Sequence, residues 1–263
     1  MQTPFDEVVA GVVARRYHNH RLEDHSDIVS KRIFQDLVRF CPLLAKDVES
    51  GIVKHWLNVP APGARNRKID LFIGEPDAKG NASISGIRVC VENKSVLTAH
   101  RNRDARFDDL DEVMKVVHSI RPDAVTAATV MIGVDQQNLN IPDKVKAFFI
   151  GNNERTKFEN EILPRLSSGD QSLWTEFKFA ISRNSVSDPM KTLAKLRDIT
   201  TRPAGHTHIA GYDFIIFVPM SMDNVNPPSV VRNNSIGIDV DGDYAAMLDS
   251  ICRAYKVRWH PLA

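Results

Sequence analysis

Two acidic residues and one lysine lie within or directly after two consecutive apolar segments. Asp70 lies between Ile69 and Leu71, while Glu92 closes the second segment and Lys94 follows two positions later. Successive side chains of an extended chain point to opposite faces, so Glu92 and Lys94 are expected on the same face. If the two segments are neighbouring strands, Asp70 converges on the same point. Two carboxylates then meet one ammonium at the edge of an apolar sheet.

This set of side chains suits a divalent cation and the hydrolysis of a phosphate ester. Carboxylate oxygens are ligands for Mg²⁺ or Mn²⁺, and both ions readily keep several waters. A neighbouring lysine can orient or deprotonate an attacking water and offset charge in the transition state. The alternative is that Asp70 is a strand-end acid and that Glu92 and Lys94 form an exposed surface pair. We favour the catalytic interpretation because ionisable groups seldom end buried strands without a partner.

Hydrophobic periodicity predicts that both segments belong to a sheet flanked by helices. Helices are predicted at residues 5–17 and 26–41 and from Asp104 or Asp108 to Ile120; strands are predicted at residues 52–59, 68–74, 87–92 and 124–134. The turn at residues 75–81 joins two of these strands as a hairpin. A hairpin followed by a helix and another buried strand indicates an α/β fold with a mixed central sheet.

The second half of the chain is less regular. Helices are predicted at residues 144–149, 155–166 and 189–198, a buried strand at 212–219 and a final amphipathic helix at 243–255. We therefore predict a single domain over residues 1–263. Its core is expected at about 22–134 and 209–258, with a helical insertion at about 140–205.

Composition and charge limit the classes of partner that the protein is expected to bind. The 263 residues carry a formal net charge of +1, so binding to a polyanion must rest on clustered basic side chains. No run of 18 apolar residues occurs, and residues 1–13 lack the basic and apolar regions of a signal peptide. The three cysteines are far apart in apolar surroundings, which favours reduced thiols and a cytoplasmic location.

The two apolar segments together resemble the core motif of the PD-(D/E)xK nuclease superfamily, whose fold is that of most type II restriction endonucleases. They read Arg67-Lys68-Ile69-Asp70-Leu71 and Val89-Cys90-Val91-Glu92-Asn93-Lys94. The motif covers residues 67–94, and the order of elements extends the resemblance loosely to residues 26–132. The leading proline of the family motif is replaced by Ile69, a position that often varies.

The resemblance implies a role for each residue of the motif. Asp70 and Glu92 are expected to bind Mg²⁺, with Mn²⁺ able to substitute, and the backbone carbonyl of Asn93 is a further expected ligand. Lys94 is expected to position the attacking water. Families of this type often add a glutamate from the preceding helix, and Glu23 is the best candidate here, with Glu7 or Asp27 as alternatives.

Basic residues cluster on both sides of the motif. The expected DNA contacts are Arg65, Arg67 and Lys68 before it and His100, Arg101, Arg103 and Arg106 after it. Guanidinium groups make bidentate contacts with phosphate oxygens. The alternative is that the arginines pair with Asp104, Asp108 and Asp109 on a helix face. The polar segments 136–138 and 221–235 could reach a DNA groove, although ordinary surface loops explain them equally well.

These expectations favour a type II restriction endonuclease acting on double-stranded DNA as a homodimer, with a cognate DNA methyltransferase encoded nearby. One site cuts one strand, so two copies are needed to cut both. A repair or phage-defence nuclease that recognises DNA structure is the first alternative. A catalytically idle DNA-binding protein of the same fold is the second, and the intact Asp70, Glu92 and Lys94 set argues against it.

Overall fold

A computed structural model provides the structure of the chain. It describes residues 2–15, 24–62, 67–98, 100–140, 158–162, 164–165, 168–170, 172–176, 180–233 and 236–261. Within these ranges no helix is both long and apolar enough to cross a membrane.

Helices surround the sheet, and most lie where periodicity predicts them. They are α1 (Pro4–Arg15), α2 (Asp24–Phe40), α3 (Pro42–Glu49), α4 (Arg103–Ile120), the single-turn α5 (Ser172–Glu176), α6 (Asp188–Arg197) and α7 (Val240–Trp259). Helix α3 is not among the helices predicted from the sequence, because Pro42 directly follows the helix predicted at residues 26–41 and a proline there indicates a helix end. Proline is tolerated in the first turn of a helix, so Pro42 both ends α2 and begins α3.

The central sheet has six strands in the order β1-β2-β3-β4-β7-β8. The strands are β1 (Lys54–Pro60), β2 (Lys68–Pro76), β3 (Ala82–Val96), β4 (Val125–Gly133), β7 (Phe214–Ser221) and β8 (Ser229–Val230). Strands β1, β2 and β3 form an antiparallel meander, β3, β4 and β7 are parallel, and β8 is antiparallel to β7. The predicted α/β class with a mixed central sheet flanked by helices is confirmed.

Helices pack on both faces of the sheet. Leu71 belongs to a large apolar cluster that includes buried residues of α1, α2 and α7, whereas its neighbour Phe72 belongs to a smaller cluster with Val113 and Val117 of α4. This alternation follows from the two-residue period of a strand. Strand β4 is buried along its whole length, as expected of a parallel strand that is covered on both sides.

The region of the predicted helical insertion contains strands as well as helices. Strands β5 (Gln137–Asn140) and β6 (Ala180–Arg183) pair as a separate antiparallel sheet, which the sequence pattern did not predict. The helix predicted at 189–198 is present as α6, and its Leu193 and Leu196 belong to the large apolar cluster. The predicted helix at 144–149 lies outside the described residues, and the described part of 155–166 includes a π-helical turn, Phe158–Ile162.

Candidate active site

Strands β2 and β3 separate beside Asp70. Their ladder stops at Leu71 opposite Val91, although β2 stays paired with β1 as far as Lys68 and β3 stays paired with β4 to its end. The gap between Asp70 of β2 and Glu92–Lys94 of β3 is called the fork below. The Asp70 carboxylate lies in it, and its Oδ2 accepts a 2.7 Å hydrogen bond from the backbone N–H of Asn93. A side chain thus satisfies a backbone donor that is next to the end of the ladder.

The fork brings together the three residues that the sequence singled out. Lys94 Nζ lies 2.6 Å from Glu92 Oε2 and 3.3 Å from Asp70 Oδ2. The side chains of Lys94 and Asp70 are 15% and 12% exposed, whereas that of Glu92 is fully buried. The predicted convergence of two carboxylates and one ammonium is therefore present, and it is accessible mainly through Asp70 and Lys94.

The Glu92 carboxyl has a strongly shifted pKa and one oxygen to which no described residue forms a hydrogen bond. Burial raises its pKa to about 7, against the opposing charge of Lys94, and the nearby Asp70 charge adds to the rise. Its Oε1 has no hydrogen-bond partner in the described ranges of the chain. Burial alone would lower the pKa of Lys94, but Glu92 and Asp70 together raise it and keep the side chain an ammonium.

These donors fit a hard divalent cation. Asp70 and Glu92 provide carboxylate oxygens at one point, and no described residue hydrogen-bonds to the buried Glu92 Oε1. Mg²⁺ is commonly held by one or two carboxylates while waters complete its coordination. The structure describes no group of three or more His, Cys, Asp or Glu residues that could hold a metal, so the ion would have to keep waters or take a ligand from elsewhere.

A third acidic ligand is not evident among the candidates that the structure describes. Glu23, the favoured candidate, lies outside the described residues. Glu7 forms an ion pair with Arg32, and Asp27 Oδ1 accepts a 2.9 Å hydrogen bond from Asn58 Nδ2. Both alternatives therefore already have a partner elsewhere in the fold.

Two of the arginines expected to contact DNA make ion pairs within the protein. Arg67 pairs with Asp109 and Glu112, and Arg106 donates a 2.6 Å hydrogen bond to the same Asp109. Asp109 is buried, so these contacts attach the chain before β2 to helix α4. This arrangement agrees with the alternative in which the arginines pair with acids of the helix.

The remaining basic candidates divide between the interior and the surface. His100 is buried, and its two ring nitrogens bond to Thr192 Oγ1 and the Gly133 carbonyl, so it is not placed for the expected DNA contact. Arg101 and Lys68 are exposed. Arg103, half-buried, lies 3.9 Å from Asp104, and Arg65 is outside the described residues.

Two cavities lie around the β5–β6 sheet, near the carboxyl ends of the parallel strands. One of about 400 Å³ is lined by Arg101, Arg183 and Asn184, among others. The other, of about 390 Å³, is lined by Gln136 and Asn226, among others. The two polar segments singled out in the sequence as candidates for reaching a DNA groove therefore contribute to the same cavity.

Sequence reasoning missed the polar residues that surround Asn93. Its Nδ2 donates to Ser30 Oγ at 2.7 Å and to the Ser26 carbonyl at 3.2 Å, and its Oδ1 accepts from Thr129 Oγ1 at 2.8 Å. A signal was present, because Thr129 interrupts the apolar run of β4 and the two serines are spaced i, i+4 on α2.

Comparisons with protein-family models, with curated proteins and with solved structures found no significant match for this chain.

Proposed function

We propose that this protein is a Mg²⁺-dependent endonuclease that hydrolyses phosphodiester bonds in double-stranded DNA. The observation that carries the proposal is the meeting of Asp70, Glu92 and Lys94 where two strands separate. Glu92 Oε1, which has no hydrogen-bond partner among the described residues, supports it further, because a buried carboxylate oxygen without a donor is costly unless something else binds it.

The residues of the fork have distinct roles in this proposal. Asp70, Glu92 and the carbonyl of Asn93 would hold the ion, which when bound polarises the phosphodiester and neutralises negative charge. Lys94, kept as an ammonium by its two carboxylate neighbours, donates hydrogen bonds that orient the attacking water and offset charge on the phosphate oxygens. Water adds to phosphorus and gives up a proton to solvent as the bond to the leaving sugar oxygen breaks, and that oxygen takes up a proton to become a hydroxyl.

Two exposed cations close in sequence to the fork residues support a polyanionic substrate. Lys68 lies on the strand of Asp70, and Arg101 follows the strand of Glu92; both are exposed. Because the net charge is only +1, local cations such as these must supply the attraction for DNA. Arg67 and Arg106 support the position of helix α4 instead, through Asp109.

The finer proposal is a type II restriction endonuclease that acts as a homodimer, with a cognate methyltransferase encoded nearby. A single fork provides one set of Asp70, Glu92 and Lys94, so cutting both strands at one place calls for two copies. Discrete fragments from a long plasmid would support recognition of a sequence. A smear would favour the structure-specific repair or phage-defence alternative.

The decisive experiment is digestion of supercoiled plasmid DNA by the wild-type protein and by Lys94→Ala, with Mg²⁺ and with EDTA. We expect wild-type cleavage only with Mg²⁺ and a loss of about 100-fold or more in Lys94→Ala. Lys115→Ala is the matched control, because Lys115 is exposed on α4 and pairs only with Asp111 among the described residues. Cleavage in EDTA, or equal cleavage by Lys94→Ala, would overturn the proposal.

A further inference from the structure

The side chain of Asn93 connects the fork to two other elements of the fold. Its amide nitrogen donates to Ser30 and Ser26 of α2, and its amide oxygen accepts from Thr129 of β4. Ser30 and Thr129 are fully buried, and Asn93 is 7% exposed. Both protons and the oxygen of the amide thus have partners, which satisfies a polar side chain in an apolar interior.

The backbone of the same residue lies between the site residues. The Asn93 N–H donates to Asp70 Oδ2, and Glu92 and Lys94 are its immediate neighbours in the chain. Because strand side chains alternate, Glu92 and Lys94 point away from the face on which Asn93 contacts α2. Asn93 is therefore held by its side chain from one face, while its backbone N–H holds the Asp70 carboxylate.

The polar character of this position calls for an explanation, because its surroundings are apolar. Val91 and Ala127, each two positions before Asn93 or Thr129 on the same face, both belong to the large apolar cluster. An apolar residue at 93 would bury more easily than an amide, whose desolvation must be offset by several hydrogen bonds. Fully satisfied buried networks favour one geometry over others.

We propose that Ser30 and Thr129 are positioning residues, which through the Asn93 amide fix the Glu92–Asn93–Lys94 backbone in the orientation that binds a divalent cation. The inference rests on the proposed metal-dependent function and extends it to residues that touch neither the ion nor the substrate. Thr129 is hydrogen-bonded to the residue whose carbonyl is an expected ligand. Partners of this kind orient a ligand, and their loss weakens metal binding.

The test measures by titration calorimetry how tightly the full chain binds Mn²⁺ when no DNA is present. Thr129→Val keeps the shape of the side chain and removes its donor to Asn93 Oδ1. We expect its Kd for Mn²⁺ to rise about 10-fold to 100-fold. Thr129→Ser restores a hydroxyl and should stay within about 2-fold of the wild type, which a purely steric role for the methyl group does not predict.

Thr126→Val is the matched control for loss of a buried threonine from the same strand. Thr126 is also fully buried in β4, and its Oγ1 donates at 3.0 Å to the Gly211 carbonyl instead of contacting the fork. We expect Thr126→Val to lose stability without a change in Mn²⁺ affinity. Equal weakening in Thr126→Val and Thr129→Val would overturn the inference, since general destabilisation would then explain both.

The outcomes also separate this inference from the proposed function. A wild-type protein that binds no Mn²⁺ overturns both, whereas wild-type binding that Thr129→Val retains in full overturns only the positioning role. Should Thr129→Val fail to fold, Ser30→Ala is the second variant. It removes the 2.7 Å acceptor of Asn93 Nδ2 and places a residue with high helix propensity in α2. Unchanged Mn²⁺ affinity in Ser30→Ala would then contradict the inference.

Discussion

The backbone N–H of Asn93 and the side chain of Lys94 both donate to Asp70 Oδ2, at 2.7 Å and 3.3 Å. One carboxylate oxygen of β2 therefore holds two consecutive residues of β3 at the point where the ladder between these strands has ended. Asp70 has a structural role at the fork in addition to its proposed role as a metal ligand. The two roles can be separated by substitution.

Asp70→Asn should separate metal binding from folding. The amide oxygen can still accept from the Asn93 N–H, so we expect a folded protein, but the lost charge should reduce Mg²⁺-dependent cleavage by about 100-fold or more. Plasmid nicking and thermal unfolding measure the two effects. Asp77→Asn is the control, because Asp77 is exposed in the turn of the same hairpin. Equal losses of cleavage in both variants would contradict the role of Asp70.

Lys94→Ala should make the stability of the protein depend on divalent cations. It leaves the buried Glu92 beside Asp70 without a counter-charge, and removal of one partner from a buried ion pair costs about 3–5 kcal/mol. We expect a lower Tm in EDTA and a larger rise of Tm with Mg²⁺ than in the wild type. Differential scanning fluorimetry with and without Mg²⁺ measures this difference. Equal Mg²⁺ responses would argue against an ion between the two carboxylates.

Arg101→Ala should weaken DNA binding in a salt-dependent way. Arg101 is exposed beside a polar cavity near the carboxyl end of β3. Loss of one phosphate contact lowers the slope of log K against log salt by about 1. Fluorescence anisotropy with a DNA duplex at several salt concentrations measures the slope. Arg253→Ala, an exposed arginine of α7, should leave it unchanged, and identical slopes in all three proteins would exclude a contact by Arg101.

His118 should make the protein sensitive to acid. Burial, reinforced by the charges of Arg202 and Arg258, lowers its pKa to about 4, so the folded state holds the neutral ring that accepts from the Gly211 N–H. The ordinary pKa of histidine is about 6.5. The stability that the neutral His118 ring contributes is therefore complete above that pH and is lost as the pH falls towards 4.

The expected loss of stability is roughly 3 kcal/mol for a shift of this size. Urea unfolding at intervals from pH 7.5 to pH 4.5 measures it in the wild type and in His118→Gln. The variant should show a flatter dependence of the free energy of unfolding on pH in this interval. Parallel curves for the two proteins would show that another group causes the acid sensitivity.

The elements that carry the site could be predicted because their signals are local. Apolar runs around Asp70 and Glu92 indicate strands, and the turn between them indicates a hairpin, so their proximity follows from the sequence. The separate β5–β6 sheet could not be predicted in this way. Its strands of four residues each are paired across about 40 positions, and such pairing depends on tertiary contacts that no short window contains.

The basic residues illustrate a second limit of sequence reasoning. His100 and Arg101 are adjacent in the chain, yet His100 is buried with both ring nitrogens bonded and Arg101 is exposed. Arg67 and Arg106 lie far apart in sequence but share the buried Asp109. Spacing alone does not distinguish a cation that faces solvent from one that neutralises an internal acid.

The fork lies at the open end of the β2–β3 hairpin, so the length of the hairpin can vary without moving the site. Asp70 and Glu92 stand at the base of the hairpin, and the turn that joins their strands is at the opposite end. Homologous chains could gain or lose residues in pairs along the two arms, or exchange the turn, while both carboxylates keep their places. The number of residues between Asp70 and Glu92 can therefore differ from one homologous chain to another. Distant relatives are better sought by the order of their strands than by a fixed number of intervening residues.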